Sequence, residues 1–294
     1  MNAPGSEEIA AFEELRPRLF GIAYRMTGSV ADAEDVCQEA WLRWRAIDPA
    51  TVTTPEAYLV RTVTNLAIDR LRSAQHRRET YVGPYLPEPL VADDDEDPAA
   101  AAELSDSLTL AFLVLLDELS PLERAVLLLH DVFGYEFDDV AAAVGRSAAA
   151  CRQIASRTRR KLAHERAQTR RPDAEHEQRM IEQLLVATTS GDIDSVMQLL
   201  APDVVHLGDG GADRHAARRP VVGPERVARL LTNLAQRLVP LGYSARLATV
   251  NGGTGVVFEH EGHVDSVMSL SLAADGRVRR VYIQRNPDKL EHVT

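Results

Sequence analysis

The stretch AAVGRSAAACRQIASRTRRKL, residues 142–162, has the pattern of two helices joined by a short turn. Gly145 is expected to end the first helix, because glycine readily adopts the left-handed conformation found after helix ends. Ser147 can cap the helix that follows. One face of that second helix carries the residues expected to pack on the first: Cys151, Ile154, Thr158 and Leu162. Residues 137–162 are therefore predicted to form a helix-turn-helix.

The opposite face of the second helix is polar and basic. From Arg152 to Arg171 the chain has eight Lys/Arg and one acid, although its formal net charge is −11. Small residues at the start of such a helix let it enter a major groove, where arginine and glutamine contact base edges and further arginines contact phosphates. The candidate DNA-binding residues are Ser147, Ala149, Arg152, Gln153, Arg157, Arg159 and Arg160. The alternative is a solvated basic helix end, which also suits the helix dipole.

Length and composition indicate a protein of two or three domains without a membrane segment. The chain has 294 residues, and domains usually hold about 100–150. Cys37 and Cys151 both fall on apolar helix faces, as in a reduced cytosolic protein. The acidic N-terminus lacks the apolar region of a signal peptide, and the longest apolar run is interrupted by Asp117. We therefore expect a soluble, cytoplasmic protein.

Four segments follow one another along the chain. Residues 1–80 and 105–168 have helical periodicity and predict two all-α domains. Residues 81–104 contain several prolines and five consecutive acids, which predicts an unpacked linker. Residues 173–294 combine amphipathic helices with alternating strands and predict an α+β domain. The predicted fold class is multidomain.

The stretch DAEDVCQEAWLRW, residues 32–44, has one buried stripe and one acidic face. The acidic face carries Asp32, Asp35, Gln38 and Glu39. Such a face is either simply solvated or a docking surface for a basic partner protein. The residue pattern alone leaves both interpretations open.

A second long helix is expected to begin at Pro55, with Thr54 as its cap. Its exposed side carries an aromatic ring among amide and charged groups: Tyr58, Arg61, Asn65, Asp69 and Arg72. Rings that stack on bases and polar groups that contact base edges suit single-stranded DNA. An ordinary exposed amphipathic helix is the alternative.

Taken in order, DAEDVCQEAWLRW, YLVRTVTNLAIDRLR and the helix-turn-helix resemble a bacterial sigma factor of the extracytoplasmic-function class. The resemblance implies that Asp32, Asp35, Gln38 and Glu39 contact the β′ clamp helices of core RNA polymerase. It assigns the second helix and the DPATVTT loop beside it to the −10 element, and the helix-turn-helix to the −35 element. It also allows the acidic run at 93–97 to mimic RNA phosphates in the polymerase channel, with plain disorder as the alternative.

The C-terminal segment is similar to SnoaL-like domains, in which a curved sheet and helices enclose an apolar pocket. Sigma factors with this extension share three short motifs, which correspond here to YLPEP (85–89), DGGAD (209–213) and NPDKL (286–290). Tyr85 replaces the usual Trp, and Ala212-Asp213 replaces Gly-Lys. The resemblance implies regulation in cis through contacts between domains. The residues implied are Tyr85, Leu86, Pro87, Asp209, Gly210, Gly211, Asn286, Pro287, Asp288 and Lys289.

Several acid–base groups of the last domain, among them His206 and Asp265, leave an isomerase-like enzyme as one alternative. The polar stretch FEHEGHVD is better explained as an exposed hairpin tip, and no spacing indicates a metal site. A ligand-sensing one-component regulator is a further alternative, but it leaves the acidic helix unexplained. The preferred prediction is a sigma factor without catalytic activity or cofactor, whose partners are core RNA polymerase, duplex and melted promoter DNA, and an unknown small ligand of the last domain.

Overall fold

The structure is a computed structural model, and it describes residues 6–48, 51–78, 81, 83–92, 109–168 and 174–293. Contacts divide these residues into two compact units. A helical unit comprises described residues within 1–79 and 115–162, and a sheet-containing unit comprises those within 80–114 and 163–294. The acidic run at 93–97 and residues 49–50 of the DPATVTT loop lie outside the described residues.

The helical unit begins with three long helices: α1 (Ser6–Thr27), α2 (Val30–Ala46) and α3 (Pro55–Arg78). A short helix α4 (Leu110–Leu116), of which only residues 115 and 116 belong to this unit, precedes α5 (Pro121–Leu127), which continues as a π-helical turn over Leu128–Val132. Helices α6 (Phe137–Val144) and α7 (Ala148–Gln168) follow. Helix α1 packs on both α2 and α3, so the apolar stripes of the three helices share one core.

Local capping chemistry sets several of these helix ends. Ser29 accepts a hydrogen bond from the backbone of Asp32 at the start of α2. Ser120 and Glu123 form a reciprocal capping box at the start of α5, where Pro121 fills a position that needs no N–H. The long helix α3 begins at Pro55, as predicted, and continues to Arg78.

The buried guanidinium of Arg124 joins the ends of three segments of the helical unit. Its Nε donates to the Leu116 carbonyl at 3.0 Å, and its Nη1 donates to the Met26 carbonyl at 2.7 Å. Its Nη2 lies 2.6 Å from a carboxylate oxygen of Asp117. One side chain therefore satisfies carbonyls at the ends of α1 and α4.

The described part of the second unit combines helices with one seven-stranded sheet. Its helices are α8 (Ala174–Ser190), α9 (Ile193–Leu199) and α10 (Pro224–Leu238). Its strands are β1 (Val91–Ala92), β2 (Leu200–Asp209), β3 (Val221–Val222), β4 (Ser244–Val250), β5 (Gly253–His260), β6 (His263–Leu272) and β7 (Val278–Gln284). They form one sheet in the order β1-β4-β5-β6-β7-β2-β3. Strands β2 and β7 pair in parallel, and the other pairs are antiparallel.

Both faces of the sheet are covered. Helices α8, α9 and α10 pack on one face through a core that includes Ile181, Leu231 and Met268. The opposite face buries Tyr282 with Leu86 and Leu110. The protein thus uses residues upstream of the helix-turn-helix to complete the core of its C-terminal domain.

The structure differs from the prediction of an unpacked linker at residues 86–92. Leu86, Pro87, Glu88 and Pro89 are buried, and β1 pairs with β4 at the sheet edge. Prolines are compatible with this position because an edge segment leaves some N–H positions unpaired. The acidic composition that suggested a solvated segment belongs to residues 93–97, beyond this strand.

Candidate functional site

The acidic face of α2 lies opposite its buried stripe. Asp35, Gln38 and Glu39 are exposed, and Asp32 is half-buried. Arg70 of α3 lies 3.4 Å from Asp32 and 2.6 Å from Asp35, and Arg43 pairs with Glu39 at 2.5 Å. The predicted polymerase-binding residues therefore form one surface, but three of their carboxylates already have arginine partners.

Residues on α3 predicted to bind the −10 element line the same side of that helix. Arg61, Asn65, Asp69 and Arg72 are exposed, while Tyr58 is half-buried and packs on the Trp44 ring at 5.7 Å. Tyr58 and Arg61 line a groove of about 480 Å³ between α3, its preceding loop and α6. The groove lies within the helical unit and brings the two predicted DNA-binding regions together.

Helix α6 partly occupies the polar face of α3. Asn65 Nδ2 donates to the Ala143 carbonyl of α6 at 3.1 Å and to the Arg61 carbonyl at 2.8 Å. The Tyr135 hydroxyl donates to Glu56 at 2.8 Å. In this arrangement Asn65 Nδ2 donates to two backbone carbonyls, one on α3 and one on α6, so its N–H groups are not available to a base.

The helix-turn-helix forms as the spacing predicts. Gly145 has φ 66°, in the left-handed region, and Ser147 Oγ accepts from the Ala150 backbone at the start of α7. Cys151, Thr158 and Leu162 are buried and Ile154 is half-buried. The opposite face exposes Ala149, Arg152, Gln153, Arg157, Arg159 and Arg160.

Acidic residues of the same unit hold the arginines of α7. Arg157 pairs with Glu123 at 2.8 Å, and Arg159 makes two contacts with Asp131, at 2.5 and 2.9 Å. The hydrogen bonds to Asp131 raise the pKa of Arg159. The Arg152 guanidinium lies 5.7 Å from the Phe137 ring centroid. Within the described part of the chain, Arg152 and Gln153 contact no carboxylate on this exposed face, whereas Arg157 and Arg159 are ion-paired.

Asp209 gathers the three motif segments of the second unit. Its fully buried carboxylate accepts from the Tyr81 hydroxyl at 2.5 Å, from the Leu86 backbone at 2.9 Å and from Lys289 Nζ at 2.8 Å. Burial and the hydrogen bond to Asp209 raise the pKa of Tyr81. A buried carboxylate with a buried ammonium partner is strongly held, because either charge alone would be left without water. We call Asp209, Gln284, Lys289 and the residues they bind within 81–89 the linker-binding site.

Lys289 lies against two aromatic rings in the linker-binding site. Its Nζ is 3.3 Å from the Tyr85 ring centroid and 4.9 Å from that of Tyr81, and it donates to the Leu86 carbonyl at 2.6 Å. A tyrosine ring attracts a cation, as a tryptophan ring does. Tyr85 therefore stabilises the Lys289 ammonium although it replaces the usual Trp of the motif. DGGAD lacks the usual lysine, but Asp209 still has a cationic partner because Lys289 pairs with it.

The glycines of DGGAD have a steric role. Gly211 has φ 60°, and a Cβ there would lie 2.7 Å from Asn286 Cγ. A Cβ on Gly210 would meet the Arg214 carbonyl. The Asn286 side chain approaches closely and donates to the Tyr81 hydroxyl at 2.9 Å. Pro287 and Asp288 lie beside this contact, and the Asp288 side chain is exposed.

Two residues of the linker-binding site escaped sequence analysis. Tyr81 precedes YLPEP and binds Asp209, and Gln284 Nε2 donates to the carbonyls of Leu86 and Pro87, each at 3.3 Å. Tyr81 lies four residues before YLPEP and Gln284 lies two residues before NPDKL, so nearness to a motif is the local signal that marks them. Gln284 also belongs to an alternating strand, so its buried face could be inferred only from the sheet order.

The acid–base candidates of the last domain form structural pairs. Glu259 pairs with Arg246 at 2.8 Å, and Asp265 pairs with Arg285 at 3.0 Å. Glu261 and His263 lie at the exposed tip between β5 and β6, as predicted, but Asp265 is buried. Within the described residues, no cluster of three His, Cys, Asp or Glu side chains is arranged to hold a metal ion.

His206 is buried on the helix-covered side of β2, and burial lowers its pKa to about 4. Within the described ranges, neither of its ring nitrogens has a hydrogen-bond partner. The neutral imidazole is therefore the folded form at neutral pH. Protonation costs the desolvation of a charge that has no partner.

We expect His206 to make the C-terminal domain acid-sensitive. The unfolded chain binds a proton near pH 6.5 and the folded one near 4, so stability is unaffected above 6.5 and falls as pH drops between these values. The full loss is about 3 kcal/mol. The free energy of unfolding, measured at several pH values by urea titration with hydrogen exchange of β2 as the probe, should show this loss in the parent and not in His206→Leu. The exposed His263→Gln serves as control, and an equal acid dependence of all three chains would contradict the expectation.

Several known proteins resemble this chain over most of its length. The chain matches the models for sigma-70 region 2 over residues 11–77 and for sigma-70, region 4 over residues 109–162. It is 40% identical to the ECF RNA polymerase sigma factor SigJ of Mycobacterium tuberculosis over 96% of this chain and 93% of that protein. It is 30% identical to the probable ECF RNA polymerase sigma factor SigI of the same species, over 96% of this chain and 94% of SigI. The crystal structure of M. tuberculosis SigJ matches with a TM-score of 0.78 and 36% identity, covering 96% of this chain and 98% of SigJ.

This chain belongs to the extracytoplasmic-function sigma factors of RNA polymerase. It is an alternative sigma factor that binds core polymerase and promoter DNA and directs transcription initiation. The predicted family and fold class, helical sigma domains followed by a sheet-containing domain, are confirmed. No helix among the described residues is both long and apolar enough to cross a bilayer.

Proposed function

We propose that the C-terminal domain controls this sigma factor in cis by holding the segment that joins its two sigma regions. The linker-binding site carries this proposal, since a fully buried Asp209–Lys289 pair closes over the backbone of Leu86. The divisions 1–80, 81–104, 105–168 and 173–294 are part of the proposal. We infer that the protein acts in the cytoplasm together with RNA polymerase. We also infer that it has no catalytic role, because Glu259 and Asp265 are ion-paired and Glu261 and His263 lie at an exposed hairpin tip.

The covalent order of the chain explains how such control works. Residues 84–92 lie between the two regions that match sigma families, at 11–77 and 109–162. While β1 pairs with β4 and Leu86 is held by Asp209, this part of the connection has a fixed path. Fixing it shortens the chain that is free to span two separated DNA elements. Release of the segment restores that length.

The helical unit supports a closed state that must open at a promoter. Asn65, proposed to contact the −10 element with Tyr58, Arg61, Asp69 and Arg72, is bound to Ala143 of the helix-turn-helix. Arg157 and Arg159, proposed to contact −35 phosphates with Arg160, are paired with Glu123 and Asp131. Exposed ion pairs contribute only about 0–1 kcal/mol each, so phosphates can replace these carboxylates. Opening of the helical unit on polymerase and DNA therefore costs little free energy, because new contacts replace the ion pairs that are lost.

The acidic face of α2 is the proposed contact with the β′ clamp helices. Asp35 has a side chain about 60% exposed, and Gln38 and Glu39 lie one helical turn further on the same face. Asp32 lies closer to Arg70 and is less exposed. A basic partner surface can compete for these carboxylates by the same exchange of exposed ion pairs.

Two substitutions test the assignment of the surfaces. Arg152→Ala should weaken binding to a cognate promoter by about 10- to 100-fold and relax preference at one base of the −35 element. Arg160→Ala should weaken binding evenly across sequences and reduce its salt dependence. Fluorescence anisotropy with a promoter library measures both.

Asp35→Ala should weaken the binding of core polymerase and leave the isolated affinity for promoter DNA unchanged. Glu14→Ala, an exposed acid on α1 outside the proposed surface, should leave polymerase binding unchanged. Titration of labelled core polymerase gives the affinities, and run-off transcription gives the outcome. If neither Arg152→Ala nor Asp35→Ala alters run-off transcription, the assigned surfaces are wrong.

A further inference from the structure

An apolar cavity of about 180 Å³ lies between the helices and the sheet of the second unit. Its walls come from α8, α10 and strands β4 to β7, and include Leu184, Leu231, Phe258, Met268 and Ile283. Well-packed interiors leave few voids larger than a water molecule, so this space is unusual. A cavity of about 150 Å³ with such walls takes a benzene-sized molecule.

The charged side chain among the described residues that line the cavity is ion-paired. Arg285 contributes to the wall, but its guanidinium contacts both carboxylate oxygens of the buried Asp265, at 3.0 and 3.1 Å. Tyr243, Ser244 and Ser266 supply neutral groups to the wall. The Tyr243 ring stacks on His260 at 4.3 Å, which fixes its position. A charged ligand would have no free counter-charge here, whereas a hydroxyl or carbonyl would find donors and acceptors.

The rim of the cavity is apolar and accessible. Val239 forms part of the wall and is 49% exposed, and Leu241, two residues further on, is 58% exposed. Exposed large apolar side chains that adjoin a cavity are typical of binding sites. They provide an access path for an apolar molecule.

We propose that this cavity binds a neutral, mostly apolar single-ring molecule with one hydroxyl or carbonyl group, and that its occupancy changes how tightly the linker-binding site holds residues 84–92. The proposed binding depends on the cavity alone. The proposed effect on residues 84–92 rests on the proposed control in cis.

Strand β7 connects the cavity to the linker-binding site. Side chains alternate along a strand, and here Ile283 and Arg285 line the cavity while Gln284 binds the Leu86 and Pro87 carbonyls from the other face. The backbone N–H of Arg285 donates to the Asp209 carbonyl at 2.6 Å. A ligand that moves Arg285 therefore moves the backbone that positions Asp209 and Gln284.

Binding is tested on the full chain with p-cresol, a neutral ring with one hydroxyl group, by saturation-transfer NMR titration. Leu231→Trp places an indole in the cavity, and Ala235→Phe narrows it from a half-buried position that tolerates a larger side chain better. Val186→Trp, on the exposed side of α8, is the matched control. We expect saturable binding that both cavity variants weaken by about tenfold or more and the control retains.

Coupling is tested in the same samples by hydrogen exchange of the peptide covering residues 84–92. We expect p-cresol to change this exchange in the parent and in Val186→Trp, but not in Leu231→Trp or Ala235→Phe. Absence of saturable binding, or binding that survives both cavity variants, overturns the site. Binding without a change in exchange overturns the coupling, and it leaves control in cis to be judged separately by variants of Asp209.

Discussion

Arg124→Met should lower the free energy of unfolding of the helical unit by about 3–5 kcal/mol, the usual effect of removing one partner from a buried charged network. Methionine retains most of the packing volume, so the decrease in the free energy of unfolding measures mainly the lost hydrogen bonds and ion pair. The carbonyls of Met26 and Leu116 and the carboxylate of Asp117 all lose their shared donor. A buried acceptor left without a donor costs more than the bond itself contributed.

The chain provides its own probe for this measurement. Its two tryptophans, Trp41 and Trp44, both lie in α2, so their fluorescence follows the helical unit during urea unfolding. Arg157→Met is the control, because the side chain of Arg157 is 68% exposed and its ion pair should contribute less than about 1 kcal/mol. Arg124→Lys should not restore stability, since an ammonium cannot reproduce three diverging N–H groups. A loss in Arg124→Met no larger than in the control would contradict the role assigned to Arg124.

Sequence analysis predicted the elements whose signals are local. The glycine at 145 and the cap at Ser147 lie within a few residues of the helix ends that they determine. The spacing of apolar residues likewise predicted which sides of α2 and α7 are buried. These features depend on neighbours three or four positions away, which a sequence displays directly.

The linker-binding site shows why the rest could not be predicted. Asp209 contacts Tyr81, Leu86 and Lys289, which are 128, 123 and 80 positions away in the chain. Motif resemblance named most of these residues, but spacing gives no indication that they meet. Residues 86–89 have no periodicity, and their burial follows from the face of a sheet built from distant strands.

Burial of single polar residues was equally hidden. Asp265 belongs to a stretch whose other polar residues lie at an exposed hairpin tip, yet the register of β6 against β7 places it beside Arg285. Arg70 carries no sequence signal that marks it for pairing, and its contacts with Asp32 and Asp35 depend on how two helices pack. Composition shows which groups can pair, while tertiary packing selects the pairs that form.

Asp209→Ala should release residues 84–92 from the sheet and change transcription by this sigma factor several-fold. The substitution leaves the ammonium of Lys289 buried without a carboxylate and removes the acceptor for Tyr81 and the Leu86 backbone. The uncompensated charge costs about 3–5 kcal/mol, which should raise hydrogen exchange of this segment by a factor on the order of 100 or more. Lys289→Met should act in the same direction, because it leaves the opposite charge unpaired.

The double variant separates this interaction from a general loss of structure. With both charges absent, Asp209→Ala combined with Lys289→Met should cost less than the sum of the two single changes, since neither partner is left buried alone. Glu291→Gln is the matched control, because Glu291 is exposed two residues beyond Lys289 and has no assigned contact with the segment. Unchanged exchange in both single variants would show that the ion pair does not hold the segment. Faster exchange with unaltered run-off transcription would instead separate the contact from regulation, because a segment that restrains the two sigma regions cannot be freed without changing how they reach a promoter.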